Sequence, residues 1–211
     1  MTDDTASNIA EFLLQIKAIK LQPDEPFTWA SGWKSPIYCD NRIALSHPRI
    51  RTYIRQELVK AIEKHYGRPD AIAAVATGAI AQGALVAEAL GLPLIYVRPE
   101  PKQHGMKSSI EGEITKNHSA VVVEDLVSTG KSSLKVVEAL RAHGVIVKGM
   151  ICVFNYGFET AKENFRQAAC PLYSLSSYDT LIKKAIESKY ISETQAESLT
   201  TWREQPDTWG K

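Results

Sequence analysis

The stretch Val121-Val-Val-Glu-Asp-Leu-Val-Ser-Thr-Gly-Lys-Ser-Ser133 decides how the rest of the chain is read. Three β-branched residues in a row favour a strand buried on both faces. The run meets two adjacent carboxylates, Glu124 and Asp125, and then a small, hydroxyl-rich turn containing Gly130. Leu134, Val137 and Leu140 follow at helical spacing, and Gly144 stops that helix. Ligands of open parallel sheets sit beyond the carboxyl ends of the strands. The backbone N–H groups and hydroxyls of Ser128 to Ser132, with the helix N-terminus behind them, form an anion cradle suited to a phosphate monoester. The acid pair supplies the acceptors that sugar hydroxyls need. A strand–acid–acid–turn–helix unit can therefore hold a ribose at one end and its phosphate at the other. A plain surface loop would put the acids to no such use. A Walker A loop shares Gly130-Lys131-Ser132 but requires a glycine where Asp125 stands, and a carboxylate there repels a polyphosphate.

Upstream of this unit, Ala71 to Ala76 is a short apolar run that Gly78 ends, Gln82 to Leu90 reads as a helix capped by Gly91, and Leu92 to Val97 is a second apolar run. Downstream, Val145 to Phe154 is another. Strands alternating with helices predict an α/β fold with a mostly parallel central sheet flanked by helices. Ile9, Phe12, Leu13, Ile16 and Ile19 predict an amphipathic helix from about Thr5 to Leu21, broken by Pro23 and Pro26. Pro48 suits the first turn of a second helix, lined by Ile50, Ile54, Leu58, Val59 and Ile62 and closed by Gly67. Asp179 to Ile186 looks helical, and Ser192 with Gln195 has capping-box spacing before a last helix. The polar interruption from Arg98 to Ser119 is long enough to be a functional loop or lid.

Composition excludes several classes. Lys plus Arg number 25 and Asp plus Glu 24, a formal net charge of +1, which offers no global field for nucleic acid. No apolar run approaches the ~20 residues of a membrane-spanning helix. The start Met1-Thr2-Asp3-Asp4 is acidic, unlike a signal peptide, so a cytoplasmic protein is expected. Cys39, Cys152 and Cys170 are too scattered for a disulfide framework or a metal knuckle. His47, His65, His118 and His143 make no metal-ligand spacing.

Residues 121–133 resemble the phosphoribosyl pyrophosphate (PRPP) motif of type I phosphoribosyltransferases. The resemblance implies that Glu124 and Asp125 contact the ribose hydroxyls, and that Leu126, Val127, Ser128, Thr129, Gly130, Lys131 and Ser132 carry the 5'-phosphate. The loop Tyr96-Val-Arg-Pro-Glu-Pro-Lys-Gln-His-Gly105 gathers Arg98, Lys102 and His104 against one acid, Glu100. It resembles the catalytic loop of orotate phosphoribosyltransferases, which closes over pyrophosphate. Phe27-Thr-Trp-Ala-Ser-Gly-Trp-Lys-Ser-Pro-Ile-Tyr-Cys-Asp40 is similar to that family's hood over the base. Trp29, Trp33 and Tyr38 serve equally well there as packing for the first helix. The chain departs from the family at Ala30, Gln82 and Pro99, where lysines are usual, and at Asn155-Tyr156-Gly157, where an arginine is usual. Lys34 or Arg42 is the candidate stand-in expected for the lysine missing at Ala30.

The resemblance implies one phosphoribosyltransferase domain over 1–211, with a helix and hood in 1–45, a core with the PRPP site in 68–155 and a flexible loop at 98–119. It implies transfer of ribose 5-phosphate from PRPP to orotate, giving orotidine 5'-monophosphate and pyrophosphate. Lys102, His104 and Asp125 are the expected catalytic residues, and Ser128 the expected orotate contact. Mg²⁺ is expected to ride on PRPP and pyrophosphate, without a dedicated protein site. A homodimer sharing its loop in trans is expected, and neither nucleic acid nor membrane as a partner. A purine-base phosphoribosyltransferase and a non-catalytic PRPP- or nucleotide-sensing regulator of the same fold are the alternatives.

Overall fold

The computed structural model describes residues 3–29, 32–99 and 109–209. In chain order it contains α1 (Asp3–Gln15), β1 (Ile19–Leu21), β2 (Phe27–Thr28), β3 (Lys34–Ser35), β4 (Ile37–Cys39), a 3-10 turn (Asn41–Ser46), α2 (Pro48–Tyr66), β5 (Ala71–Val75), α3 (Ile80–Leu90), β6 (Leu94–Val97) and β7 (Ile110–Glu111). There follow β8 (Ser119–Val127), α4 (Lys131–Ala142), β9 (Ile146–Asn155), α5 (Glu159–Gln167), β10 (Leu172–Ser177), α6 (Tyr178–Glu187) and α7 (Glu193–Glu204). Two compact units divide the chain: residues 1–50 with 176–211, and residues 51–175.

The apolar runs become the middle of a six-stranded sheet ordered β10-β9-β8-β5-β6-β7. β5 pairs in parallel with β6 and β8, and β8 pairs in parallel with β9. Ile72 to Ala74 and Val121 to Val123 are fully buried, as strands covered on both faces require. Two features of this sheet differ from the sequence reading. β8 does not stop at the acids but runs on to Val127, because β9 continues beside it to Asn155. The interruption after Val97 is not wholly loop, since Ile110 and Glu111 return as β7, antiparallel to β6. A two-residue strand of half-buried side chains leaves no periodic signal.

Topology locates the site. β5 leads through α3 outward to β6, whereas β8 leads through α4 to β9 in the opposite direction. Right-handed crossovers then put α3 and α4 on opposite faces of the sheet. The strand order reverses between the parallel neighbours β5 and β8, so a crevice opens beyond their carboxyl ends.

In the other unit, α1 packs on α6 and two antiparallel ribbons, β1 with β4 and β2 with β3, lie nearby in sequence. The first helix ends at Gln15, not Leu21. Lys17 turns the chain with φ 57°, and Ile19 to Leu21 then pair with Ile37 to Cys39. Ile19 fits helical spacing, but the strand partner supplied by tertiary structure wins. Trp202 is fully buried, donates from Nε1 to the Lys34 carbonyl at 3.2 Å and meets Trp29 edge-on at 5.6 Å. The capping box at Ser192 and Gln195 forms as expected.

Candidate active site

Pairing of β8 with β5 stops at Val123, while pairing with β9 continues through Glu124, Leu126 and Val127. The acid pair therefore lies where the strand outruns its neighbour, on the shoulder of the crevice. Successive strand residues face opposite ways. Glu124 turns inward and is 5% exposed. Its Oε2 accepts from the Ser133 hydroxyl at 2.7 Å and its Oε1 from the Asp125 amide at 2.9 Å. Burial pushes the Glu124 carboxyl well above the usual carboxylate range, neighbouring Asp125 adds to the rise, and the Ser133 bond opposes it. Asp125 is half-buried and faces the turn after β5. A Cβ built on Gly78 would stand 2.5 Å from Asp125 Oδ2, so only glycine leaves room for that carboxylate.

The turn after the acids is tightly held. Gly130 has φ +77°, a region that costs other L-residues about 1–2 kcal/mol, and its missing Cβ would stand 2.5 Å from the Phe165 ring. Asn164 Nδ2 donates to the Thr129 carbonyl at 2.9 Å, so α5 fixes the turn from behind. Gly130 caps α4 without any side-chain bond, which leaves the first-turn N–H groups free of a side-chain cap, next to half-buried Ser128 and Thr129 and exposed Lys131 and Ser132. Val127 is fully buried, so only its backbone is offered to a ligand, while Leu126 is half-buried.

Arg98 and Ser132 line one open cleft of about 500 Å³, with Thr77, Tyr96 and Lys135. Arg98 lies 3.8 Å from Glu111 Oε1. Two cationic side chains and the turn after β5 thus border an open space with room to spare for a diphosphate. Lys102, His104 and Ala30 lie outside the described residues.

The departures from the family pattern acquire physical form. Gln82 is 4% exposed within α3, and its Oε1 has no hydrogen-bond partner. Tyr156 is 2% exposed and stacks on Phe158, so an aromatic core contact occupies the place of the usual arginine. Arg42 is held by both oxygens of Asp40, and Lys34 bonds Thr28 Oγ1 at 2.9 Å. Trp29 donates from Nε1 to the Ile37 carbonyl at 3.3 Å. By sequence reasoning Gly78 is the end of an apolar run, and Ser133, Lys135 and Asn164 are given no role. Only Ser133 carried a signal, a hydroxyl in the first turn of the helix after the acid pair. Among the described residues, no helix is long and apolar enough to cross a membrane, and no cluster of three His, Cys, Asp or Glu could hold a metal ion.

A parallel sheet with an acid pair and a phosphate-sized turn at its switch point is the frame of a phosphoribosyl transferase. The family described as Phosphoribosyl transferase domain matches residues 45–171, and the chain belongs to it. Within that family it stands among the orotate phosphoribosyltransferases. It is 54% identical over 202 residues to the orotate phosphoribosyltransferase of Porphyromonas gingivalis, covering 96% of each chain. It is 53% identical to that of Cytophaga hutchinsonii, covering 96% of this chain and 97% of that one. The crystal structure of orotate phosphoribosyltransferase from Aeropyrum pernix matches 83% of this chain and 98% of its own, with TM-score 0.71 and 29% identity.

Proposed function

We propose that this chain transfers the ribose 5-phosphate of PRPP to orotate, giving orotidine 5'-monophosphate and pyrophosphate in de novo pyrimidine (UMP) biosynthesis. The observation that carries the reading is the Asp125 carboxylate seated against Gly78 at the switch-point crevice, with the anion-binding turn directly after it. The orotate ring nitrogen displaces pyrophosphate at the anomeric carbon through an oxocarbenium-like state. Orotate is already an anion, so no strong base is needed. Asp125 and Glu124 accept the ribose hydroxyls and stabilise the cationic sugar. The amides and hydroxyls of residues 126–132 hold the 5'-phosphate, and Ser128 also meets orotate. Arg98, Lys102 and His104 neutralise the leaving pyrophosphate and exclude water. Removing one such preorganised contact costs roughly 10²–10³-fold in turnover.

Mg²⁺ fits this donor set as a substrate-borne ion. Glu124 is already engaged by Ser133 and the Asp125 amide, and the pyrophosphate and ribose oxygens of PRPP itself supply the hard ligands. When bound, the ion supplies charge neutralisation at the pyrophosphate. The working unit is a homodimer in the cytoplasm whose 98–119 loops are exchanged between subunits, and residues 1–211 act as one phosphoribosyltransferase domain.

The decisive experiment follows orotate absorbance with PRPP and Mg²⁺, omitting each in turn, and repeats the assay with adenine, guanine and hypoxanthine. Orotate consumption that needs PRPP supports the reading. Turnover of a purine and not orotate, or PRPP binding without any turnover, overturns it in favour of the two alternatives.

A further inference from the structure

Ser133 lies one residue beyond the turn proposed to hold the phosphate, in the first turn of α4. It is 2% exposed, so its hydroxyl has no bulk water to turn to. The proton goes to Glu124 Oε2 at 2.7 Å. This is a bond from the start of the phosphate-side helix to the sugar-side acid, and it ties the two ends of the site together. The rest of the surroundings do not favour a carboxylate here. Asp125 stands next along β8 with its own negative charge, and Cys152 is the in-register neighbour on β9, fully buried and apolar in character. A buried carboxylate needs hydrogen bonds to stay ionised and to keep one orientation. Two are present, one from the backbone of Asp125 and one from Ser133. The Asp125 amide is fixed by the strand, and the Asp125 carboxyl beside it disfavours a second charge, so Ser133 is the side-chain donor that favours an ionised and oriented Glu124.

We propose that Ser133 is a positioning residue of the transferase: its hydroxyl orients the Glu124 carboxylate toward the ribose of PRPP and locks the first turn of α4 to the acid-bearing strand. This rests on the reading of Glu124 as a ribose contact. Ser133 itself touches no substrate atom. Its effect is felt on PRPP binding before any chemistry, and on the pH at which the site becomes competent, because the bond favours the ionised acid.

The test measures PRPP binding by calorimetry, with Mg²⁺ and without orotate, for the wild type, Ser133→Ala, Glu124→Ala and the double variant. Loss of a hydrogen bond to a charged group should weaken PRPP binding about tenfold in Ser133→Ala. In the Glu124→Ala background the same substitution should change affinity less than about twofold, since its effect runs through the missing carboxylate. The acid limb of kcat/KM for PRPP should move to higher pH in Ser133→Ala. Ser133→Thr keeps the hydroxyl and should restore most of the affinity; it also carries the test if the alanine variant folds poorly. Equal losses in both backgrounds, or an alanine variant that binds like wild type, overturn the inference while leaving the enzyme reading intact. If Glu124→Ala binds PRPP as tightly as wild type, the ribose assignment of Glu124 falls first, and the Ser133 inference with it.

Discussion

Glu124 and Asp125 adjoin in sequence but occupy opposite surroundings: one is 5% exposed and bonded to Ser133, the other is half-buried against Gly78. The acid pair was legible in the sequence, because two carboxylates after a β-branched run are rare enough to demand a reason. Which acid would be buried was not legible, since strand alternation assigns opposite faces without saying which face α4 covers. The burial has a measurable consequence. The native state holds the Glu124 proton more tightly than the unfolded chain does. Stability from this group is therefore greatest below the ordinary glutamate range and declines as pH climbs toward the raised native value. Glu124→Gln removes that decline. Its Tm should exceed wild type by a few degrees at pH 8, with ~2–4 °C for each kcal/mol in a chain of this size, and the gain should vanish near pH 4. Thermal melts across that range check this; a gain that is flat or grows toward acid would show that Glu124 is not the group responsible. Turnover should fall in the same variant.

Among the elements, the turn between β8 and α4 depends on a helix that sequence patterning did not reveal. α5 buries few residues, chiefly Ala161 and Phe165, and β10 is rich in serine, so neither has a strong period. Yet α5 supplies both Asn164, bonded to the Thr129 carbonyl, and the Phe165 ring packed against Gly130. Gly130→Ala meets a positive φ and that ring together. We expect a loss of about 2–4 kcal/mol, roughly half from the backbone and half from overpacking, with weaker PRPP binding. Denaturant titration of Gly130→Ala, alone and with Phe165→Leu, separates the parts. The second change should recover the packing share and leave the backbone share. Full recovery would mean that the backbone conformation carries no cost. The end of α1 teaches the same lesson: Ile19 satisfies a helix by spacing but joins β1 because Ile37 to Cys39 provide a strand.

At the scale of the whole molecule, the reversal of strand order between β5 and β8 decides where a ligand sits. Segments far apart in sequence, the turn after β5, Arg98 after β6 and Ser132 in α4, come to line one cleft through that reversal. The proposed exchange of the 98–119 loop belongs to this scale too, because it concerns two copies. A Lys102→Ala chain has an intact acid pair and a failed loop; an Asp125→Asn chain has the converse. Each alone should be nearly inactive, and mixing them after subunit exchange should restore a part of wild-type turnover, about a quarter of it if subunits pair at random and act independently. No recovery in verified mixed dimers would remove the exchange.

The sequence by itself determined the alternation of strands and helices, the acid pair, the hydroxyl turn and the identity of the motif, because these are local: they depend on period, on β-branching and on which residues stand side by side. Only the tertiary structure decided that β8 outruns β5, that Glu124 is buried while Asp125 meets Gly78, and that Ser133 and Asn164 brace the site. Those outcomes depend on which strand or helix lies alongside, and a burial or a clash is a property of two segments that the chain separates by many residues.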